Sequence, residues 1–465
     1  MRRLALAVCV LLAVAPALGV AGGQSSASGN PCAGTITAPA NGTTVISVQG
    51  ARFGEESGKT SARVVGVGPR GQVRWVDHSG QELGIVWSYD VDPLGNGNVF
   101  VTATRPGTTV FYELDPRTGR RLWTEQVPFT DTHDADKIDR HRILVANMRN
   151  YNETAGRNED RILVYNRTTD SVVWEWRFAD HYGRDVGGNY TEDWTHVNDV
   201  DALGDGRYLV SPRNFDQVIV VDRSTGEIDL RLGSHGNHRV MQKQHNPQYL
   251  AGEDGRPTIL VADSENDRIV EYARENGGWE RTWRLGDSDG FSWPRDADRL
   301  PNGNTLIADS RNNRVVEVTP AGEVVWEFYA PWLVYDVARI PHGDESGGPT
   351  IAEQGAEGAY ELSGAADPDE ATLESCARGL TSFDGWPGAR GGSGGQSAIE
   401  RTVTITLTPT AAGSPSGSRS PTATPAGGSS AGGPGFGVGA AVLSVLALLA
   451  LLTLLALRPF GRARR

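Results

Sequence analysis

Asn198-Asp-Val-Asp-Ala-Leu203 decides the fold, because the pattern it carries returns five more times along the chain. The other copies are Tyr89-Asp-Val-Asp-Pro-Leu94, His133-Asp-Ala-Asp-Lys-Ile138, His245-Asn-Pro-Gln-Tyr-Leu250, Arg295-Asp-Ala-Asp-Arg-Leu300 and Tyr335-Asp-Val-Ala-Arg-Ile340. In chain order the starts lie 44, 65, 47, 50 and 40 residues apart. Each copy leads to a polar turn, such as Gly95-Asn96-Gly97 or Asn302-Gly303, and then to a short apolar strand such as Val99 to Val101. A second hairpin follows: Val110 to Trp123 turns at Asp115-Pro-Arg-Thr-Gly119, and Val218 to Leu232 turns at Asp222-Arg-Ser-Thr-Gly226. Four short strands per repeat make the blade of a β-propeller, since one blade cannot bury its own faces and ring closure removes free edges.

The ends of the repeat region fit that count. Val64 to Trp75 is an outer hairpin without a first strand, whereas Tyr335 to about Ala352 supplies a first and second strand without an outer hairpin. The sequence therefore predicts an all-β, six-bladed β-propeller closed by a blade shared between N- and C-terminal strands, two from each end. The long step from His133 to Asn198 contains two polar segments, Asn150 to Asp160 and Asp180 to Trp194, predicted as loops over one face.

Composition agrees with many short elements: the 465 residues include 58 Gly and 25 Pro, which argues against a helical bundle. With 44 Lys and Arg against 57 Asp and Glu, the net charge of -13 disfavours a nucleic-acid partner. Lys occurs only at Lys59, Lys137 and Lys243, and an acidic, Lys-poor surface suits very salty water, as well as the codon bias of a GC-rich genome.

The chain ends read differently from the middle. Arg2 and Arg3, the apolar run Leu4 to Val14 and small residues to Gly23 form a secretory leader pattern, too short to span a bilayer. Export leaves Cys32 and Cys376, which an oxidising exterior permits to pair across the shared blade, two free thiols being the alternative. Thr402 to Gly433 is a Ser/Thr/Pro/Gly-rich stalk, and sequons stand at Asn41, Asn152, Asn166 and Asn189. Pro434-Gly435-Phe436, an apolar run from Gly437 to Leu457 and a terminal Arg cluster follow, an order of parts that predicts an anchored tail with the fold outside the cytoplasm. The predicted organisation is 1–23 leader, 24–43 N-terminal extension, 44–378 propeller, 379–433 linker or stalk and 434–465 tail. This tail resembles the PGF-CTERM sorting signal of haloarchaeal surface proteins. The resemblance implies cleavage by an archaeosortase-type processing enzyme and a membrane lipid anchor at the outer cell surface, the alternative being a retained transmembrane helix.

The first residue of each motif should face the axis at one mouth of the channel, giving a ring of Tyr89, His133, Asn198, His245, Arg295 and Tyr335, with His196 nearby. Imidazoles, a guanidinium and phenols suit an anionic aromatic ligand. The recurring acids Asp90, Asp134, Asp199, Asp296 and Asp336 are expected to hold turns and neighbouring blades together. Carboxylates lining a channel are able to hold Ca²⁺, but no EF-hand spacing is present and no cofactor is predicted.

Asp193-Trp-Thr-His196-Val-Asn-Asp-Val-Asp201, Val210-Ser-Pro-Arg-Asn214 and Gln244-His245 leading to Ala262-Asp-Ser-Glu-Asn-Asp-Arg268 resemble the arylsulfotransferase family of six-bladed propellers, over about Val73 to Glu353. The resemblance implies sulfuryl transfer from a small aryl sulfate to a phenol through a sulfohistidine, without a nucleotide donor. By resemblance, His196 and His245 match histidines of the family site and Arg268 its Arg. The family's nucleophilic His is expected on the next blade, where this chain has Arg295. Either the nucleophile is then His133, His196 or His245, with His196 and His245 sharing the nucleophile and acid/base roles and Arg268 and Arg295 binding the sulfuryl group, or the covalent route is lost. Ala308-Asp-Ser-Arg-Asn-Asn-Arg314 equally resembles ligand-binding NHL repeats, which keeps open a non-catalytic surface propeller binding an anion, a glycan or an envelope partner.

Overall fold

The computed structural model describes residues 30–50, 60–342, 347–384 and 399–405; the leader, the tail and residues 385–398 and 406–433 of the linker or stalk lie outside them. Six four-stranded antiparallel sheets form a β-propeller. Blade I is Trp87–Pro93, Val99–Arg105, Thr108–Asp115 and Arg120–Val127, from the axis outward. Blade II begins at Ala135–Asp136, blade III at Val197–Ala202, blade IV at His245–Ala251 and blade V at Pro294–Arg299. Alternating apolar residues of adjacent blades interdigitate: Leu144, Ile162 and Val164 of blade II meet Val200, Val210 and Ile219 of blade III.

Blade VI is shared between the two chain ends, but it divides one plus three rather than two plus two. Leu333–Ile340 forms the inner strand and pairs with Thr43–Gln49, which is followed by Arg63–Val67 and Val73–Asp77. Thr43–Gln49 is buried along nearly its whole length, so it holds the second position in the blade. The segment near Ala352, predicted as that second strand, instead turns beneath blade IV, where the Ile351 N–H donates to Glu271 Oε1 at 2.9 Å.

The repeated acids join the blades as predicted. Asp90 accepts the Ala135 N–H at 3.3 Å, Asp134 that of Val200 at 2.5 Å, Asp296 that of Val337 at 3.0 Å, and Asp336 that of Val91 at 2.8 Å. Each buried carboxylate thereby satisfies a backbone donor of the next inner strand, which accounts for its recurrence. Three blades carry a fifth strand: Ala33–Ile36 on blade V, Gly358–Tyr360 on blade IV and Ile399–Thr402 on blade I. The last of these lies within the predicted stalk, yet Arg401 pairs with Glu125 at 2.8 Å and Asp170 at 2.6 Å, fixing it to blades I and II. Among the described residues no helix is long and apolar enough to cross a membrane.

Cys32 and Cys376 are disulfide-bonded, joining the approach to the blade V fifth strand to a helix, Glu370–Thr381, capped by Asp369. The bond closes a loop of 344 residues around the whole ring. Cys376→Ser is expected to cost about 2–5 kcal/mol in urea unfolding, mainly through the freed denatured chain. A loss below about 1 kcal/mol would show that strand pairing alone closes the propeller.

Candidate active site

Inner strands start on one face of the ring, and side chains two residues apart share a side of a strand. The site therefore has two tiers. Tyr89, His133, His245, Arg295 and Tyr335 come from the first motif position; Trp87, Asp131, His196 and Trp293 come from two residues earlier. Gln49, Arg149 and Arg213 complete the functional lining of a cavity of about 410 Å³. The two loops between His133 and Asn198 lie on this face and are joined by Asp160, which accepts from Asn150 N at 2.9 Å and Thr195 Oγ1 at 2.8 Å.

Of the predicted ring, Asn198 is not at the cavity. It is buried below, donating from Nδ2 to the Gln244 carbonyl at 2.9 Å. Arg268 is also elsewhere: its Nε donates to Asp263 at 2.7 Å and Nη2 to the carbonyls of Arg239 and Val240. Asp309 and Arg314 repeat the same contact at 2.8 Å on blade V, so Arg268 belongs to a repeated blade turn. The cationic position facing the cavity is taken by Arg213, which lies in the short 3₁₀ turn Arg213–Phe215 after the second strand of blade III. The Val210–Asn214 segment that contains Arg213 carries part of the family resemblance, but its sequence alone assigns Arg213 no role. Asp131, Trp87 and Trp293 escape sequence reading because their register position does not repeat one residue type.

The three imidazoles have distinct surroundings. His196 Nδ1 lies 2.9 Å from both oxygens of Asp193, so it carries the proton and leaves Nε2 as the lone-pair nitrogen. Its backbone is left-handed, φ 44°, a strained conformation held by contacts of Arg213 N and Asn214 N with the carbonyls of His196 and Thr195. His245 Nδ1 is 2.8 Å from Ser264 Oγ, whose own proton goes to the Pro294 carbonyl at 2.6 Å; the imidazole must be the donor, and its Nε2 is again the lone-pair nitrogen. His133 is stacked on Tyr89 at 3.8 Å, with Nε2 3.5 Å from Asp131 and Nδ1 3.4 Å from the Tyr335 hydroxyl. Arg149 bridges Asp131 and Asp193, each at 3.1 Å.

Burial, reinforced by Arg213 and His133, pulls His196 down to about 3, against the hydrogen bond to Asp193. Burial also lowers His133, and lowers His245 further with help from Arg213 and Arg295. At neutral pH all three are uncharged. Arg295 is buried, packed 3.8 Å over Trp293 and 5.0 Å from Tyr335, with Gln49 Oε1 as its hydrogen-bond partner at 2.8 Å. Burial brings even this guanidinium down to about 10. No carboxylate among the described residues pairs with it, which leaves its charge for an anion.

The same shifts set acid stability. An unfolded His titrates near 6.5, so below that pH the unfolded chain binds protons that the folded chain refuses at His133, His196 and His245. Stability from these groups is complete above pH ~6.5 and is lost as pH falls, with a slope approaching about 4 kcal/mol per pH unit for three protons. Urea unfolding at pH 7, 6 and 5 is expected to show this decline; a flat profile contradicts the neutral, buried assignment.

Further down the channel, carboxylate oxygens of Asp134, Asp199 and Asp201 lie within 4.8 Å of one another. Asp134 also accepts a backbone N–H of blade III, which gives it a part in blade cohesion.

The decisive comparison is with known families: the arylsulfotransferase (ASST) family model matches residues 43–293. The chain belongs to the arylsulfotransferase family. No curated protein sequence matches it. Among solved structures, it is similar to a protein of unknown function from Bacteroides caccae at 15% identity, covering 65% of this chain and 100% of that one with a TM-score of 0.45. A virginiamycin B lyase from Staphylococcus aureus, in a catalytically inactive form, is 10% identical over 55% of this chain and 70% of its own, with a TM-score of 0.33. The arylsulfotransferase match ends at Trp293, two residues before Arg295. It thus covers His133, His196, His245, Arg149 and Arg213, and stops where blade V brings a guanidinium to the cavity in place of the expected imidazole.

Proposed function

We propose that this arylsulfotransferase-family chain transfers a sulfuryl group from an aryl sulfate to a phenol, with His196 as the nucleophile. The observation that carries this reading is the Asp193–His196 pair, with Nδ1 bound to the carboxylate and the imidazole lining the same cavity as Arg213 and Arg295. Nε2 attacks sulfur as the sulfur–oxygen bond of the ester breaks, and the electron pair leaves with the phenolate, whose charge Arg295 offsets. The sulfated imidazole keeps its Nδ1 proton and becomes cationic, a charge that Asp193 balances. An acceptor phenol then attacks sulfur, the nitrogen–sulfur bond returns its pair to Nε2, and His245 Nε2 takes the phenol proton. His245 passes that proton to the departed phenolate, which closes the balance.

Arg268 has no part in this scheme, and His133 stays as a wall between Asp131 and Tyr335. A purely binding propeller would explain an Arg295 with no carboxylate partner among the described residues but not two neutral imidazoles, each with its proton on Nδ1, lining one cavity. The leader and tail sequences support export and anchoring at the outer surface, through an archaeosortase-processed lipid anchor. The test is nitrophenolate release from 4-nitrophenyl sulfate with and without added phenol. Release that requires the acceptor supports transfer; no release from folded protein favours the binding propeller.

A further inference from the structure

Arg149 has no role in the scheme above, yet its placement is unusual. It stands at the end of the second strand of blade II in the left-handed region, φ 60°, where a residue with a Cβ is strained. Its Nη1 reaches Asp131 and its Nε reaches Asp193, both at 3.1 Å. Those two carboxylates in turn face His133 and His196, whose rings meet edge to face at 5.0 Å. One guanidinium therefore ties together two acid–imidazole pairs from neighbouring blades. Asp193 belongs to the long loop entering blade III, and this tie gives its carboxylate a second anchor beside His196 Nδ1.

We infer that Arg149 is a positioning residue for sulfuryl transfer: it fixes the Asp193 carboxylate on His196 Nδ1 and offsets its charge, so that His196 rests neutral with Nε2 toward the substrate. The inference rests on the proposed role of His196. The groups that face His196 set the expected direction. Asp193 favours its protonation, Arg213 and His133 oppose it, and Asp131, His245 and Arg295 surround the same cavity. Arg149 acts on His196 through the two carboxylates, which it helps hold ionised against burial. Removing it leaves the negative charge beside both imidazoles less balanced, so their protonated forms gain.

The experiment compares the intact protein with Arg149→Gln and Arg149→Lys by nitrogen NMR of labelled histidines and by steady-state kinetics. In Arg149→Gln the His196 titration moves upward, the acid limb of kcat/KM moves upward with it, and kcat falls roughly tenfold to a hundredfold with KM little changed. Arg149→Lys keeps the charge but a single ammonium cannot fork to both carboxylates, so it restores the titration more fully than kcat. A fall in kcat without any movement of the His196 titration or tautomer in either variant would overturn the inference and leave Arg149 a merely structural residue. The NMR readout needs no turnover. A wild-type protein inactive on aryl sulfates would sink the functional reading while the His196 titration still decides the role of Arg149.

Discussion

His196→Asn is expected to lower kcat/KM for acceptor-dependent nitrophenolate release by about 10³-fold or more, while leaving the unfolding midpoint nearly unchanged. Asn tolerates the left-handed backbone that His196 adopts and retains a polar partner for Asp193, so the loss reads the missing imidazole nitrogen. Neither remaining imidazole is equipped to replace it. His245 is oriented by a serine hydroxyl, which cannot balance the charge of a sulfated ring, and both nitrogens of His133 are turned to Asp131 and Tyr335. Residual activity near the wild-type level would move the nucleophile to His245 or remove the covalent step altogether.

Arg295→Met is expected to separate activity from stability. A guanidinium buried without a carboxylate carries a desolvation cost that Gln49 and two aromatic faces offset only in part. Met fills a similar volume between Trp293 and Tyr335, and its substitution should raise stability by about 1–3 kcal/mol in urea unfolding. The same change removes the charge facing the departing phenolate and should lower kcat/KM by about 10²–10³-fold. A variant that is less stable, or one that keeps full turnover, contradicts the assignment of Arg295 as the anion partner of the cavity.

The blades were legible because five of the six inner strands begin with the same acidic motif, blade IV having Asn246 in its place, and Asp90, Asp134, Asp296 and Asp336 share one physical task, accepting a backbone N–H of the next blade. The division of blade VI was not legible, since Thr43–Gln49 carries no motif and its pairing with Leu333–Ile340 spans nearly the whole propeller. In the site, His133, His196, His245 and Arg295 could be placed from register alone. Arg268 was misplaced because it was carried over by family resemblance, whereas Asp309 and Arg314 show that its pairing with Asp263 belongs to a repeated turn. Arg149 and Arg213 sit on non-repeating connections, where sequence register gives no direction for a side chain. Asp193 stood out only as the start of a family-like segment, because its value lies in a contact with His196 that three residues of irregular backbone create.

The proposed placement of the nucleophile at the entry to blade III is most directly tested by trapping the intermediate. Wild-type protein is mixed with a radiosulfur-labelled aryl sulfate, quenched in alkali before acceptor is added, digested and mapped. The account predicts label on the peptide that contains His196, discharged when phenol is supplied before the quench. Label on the His245 or His133 peptide, or turnover with no labelled histidine, would contradict it.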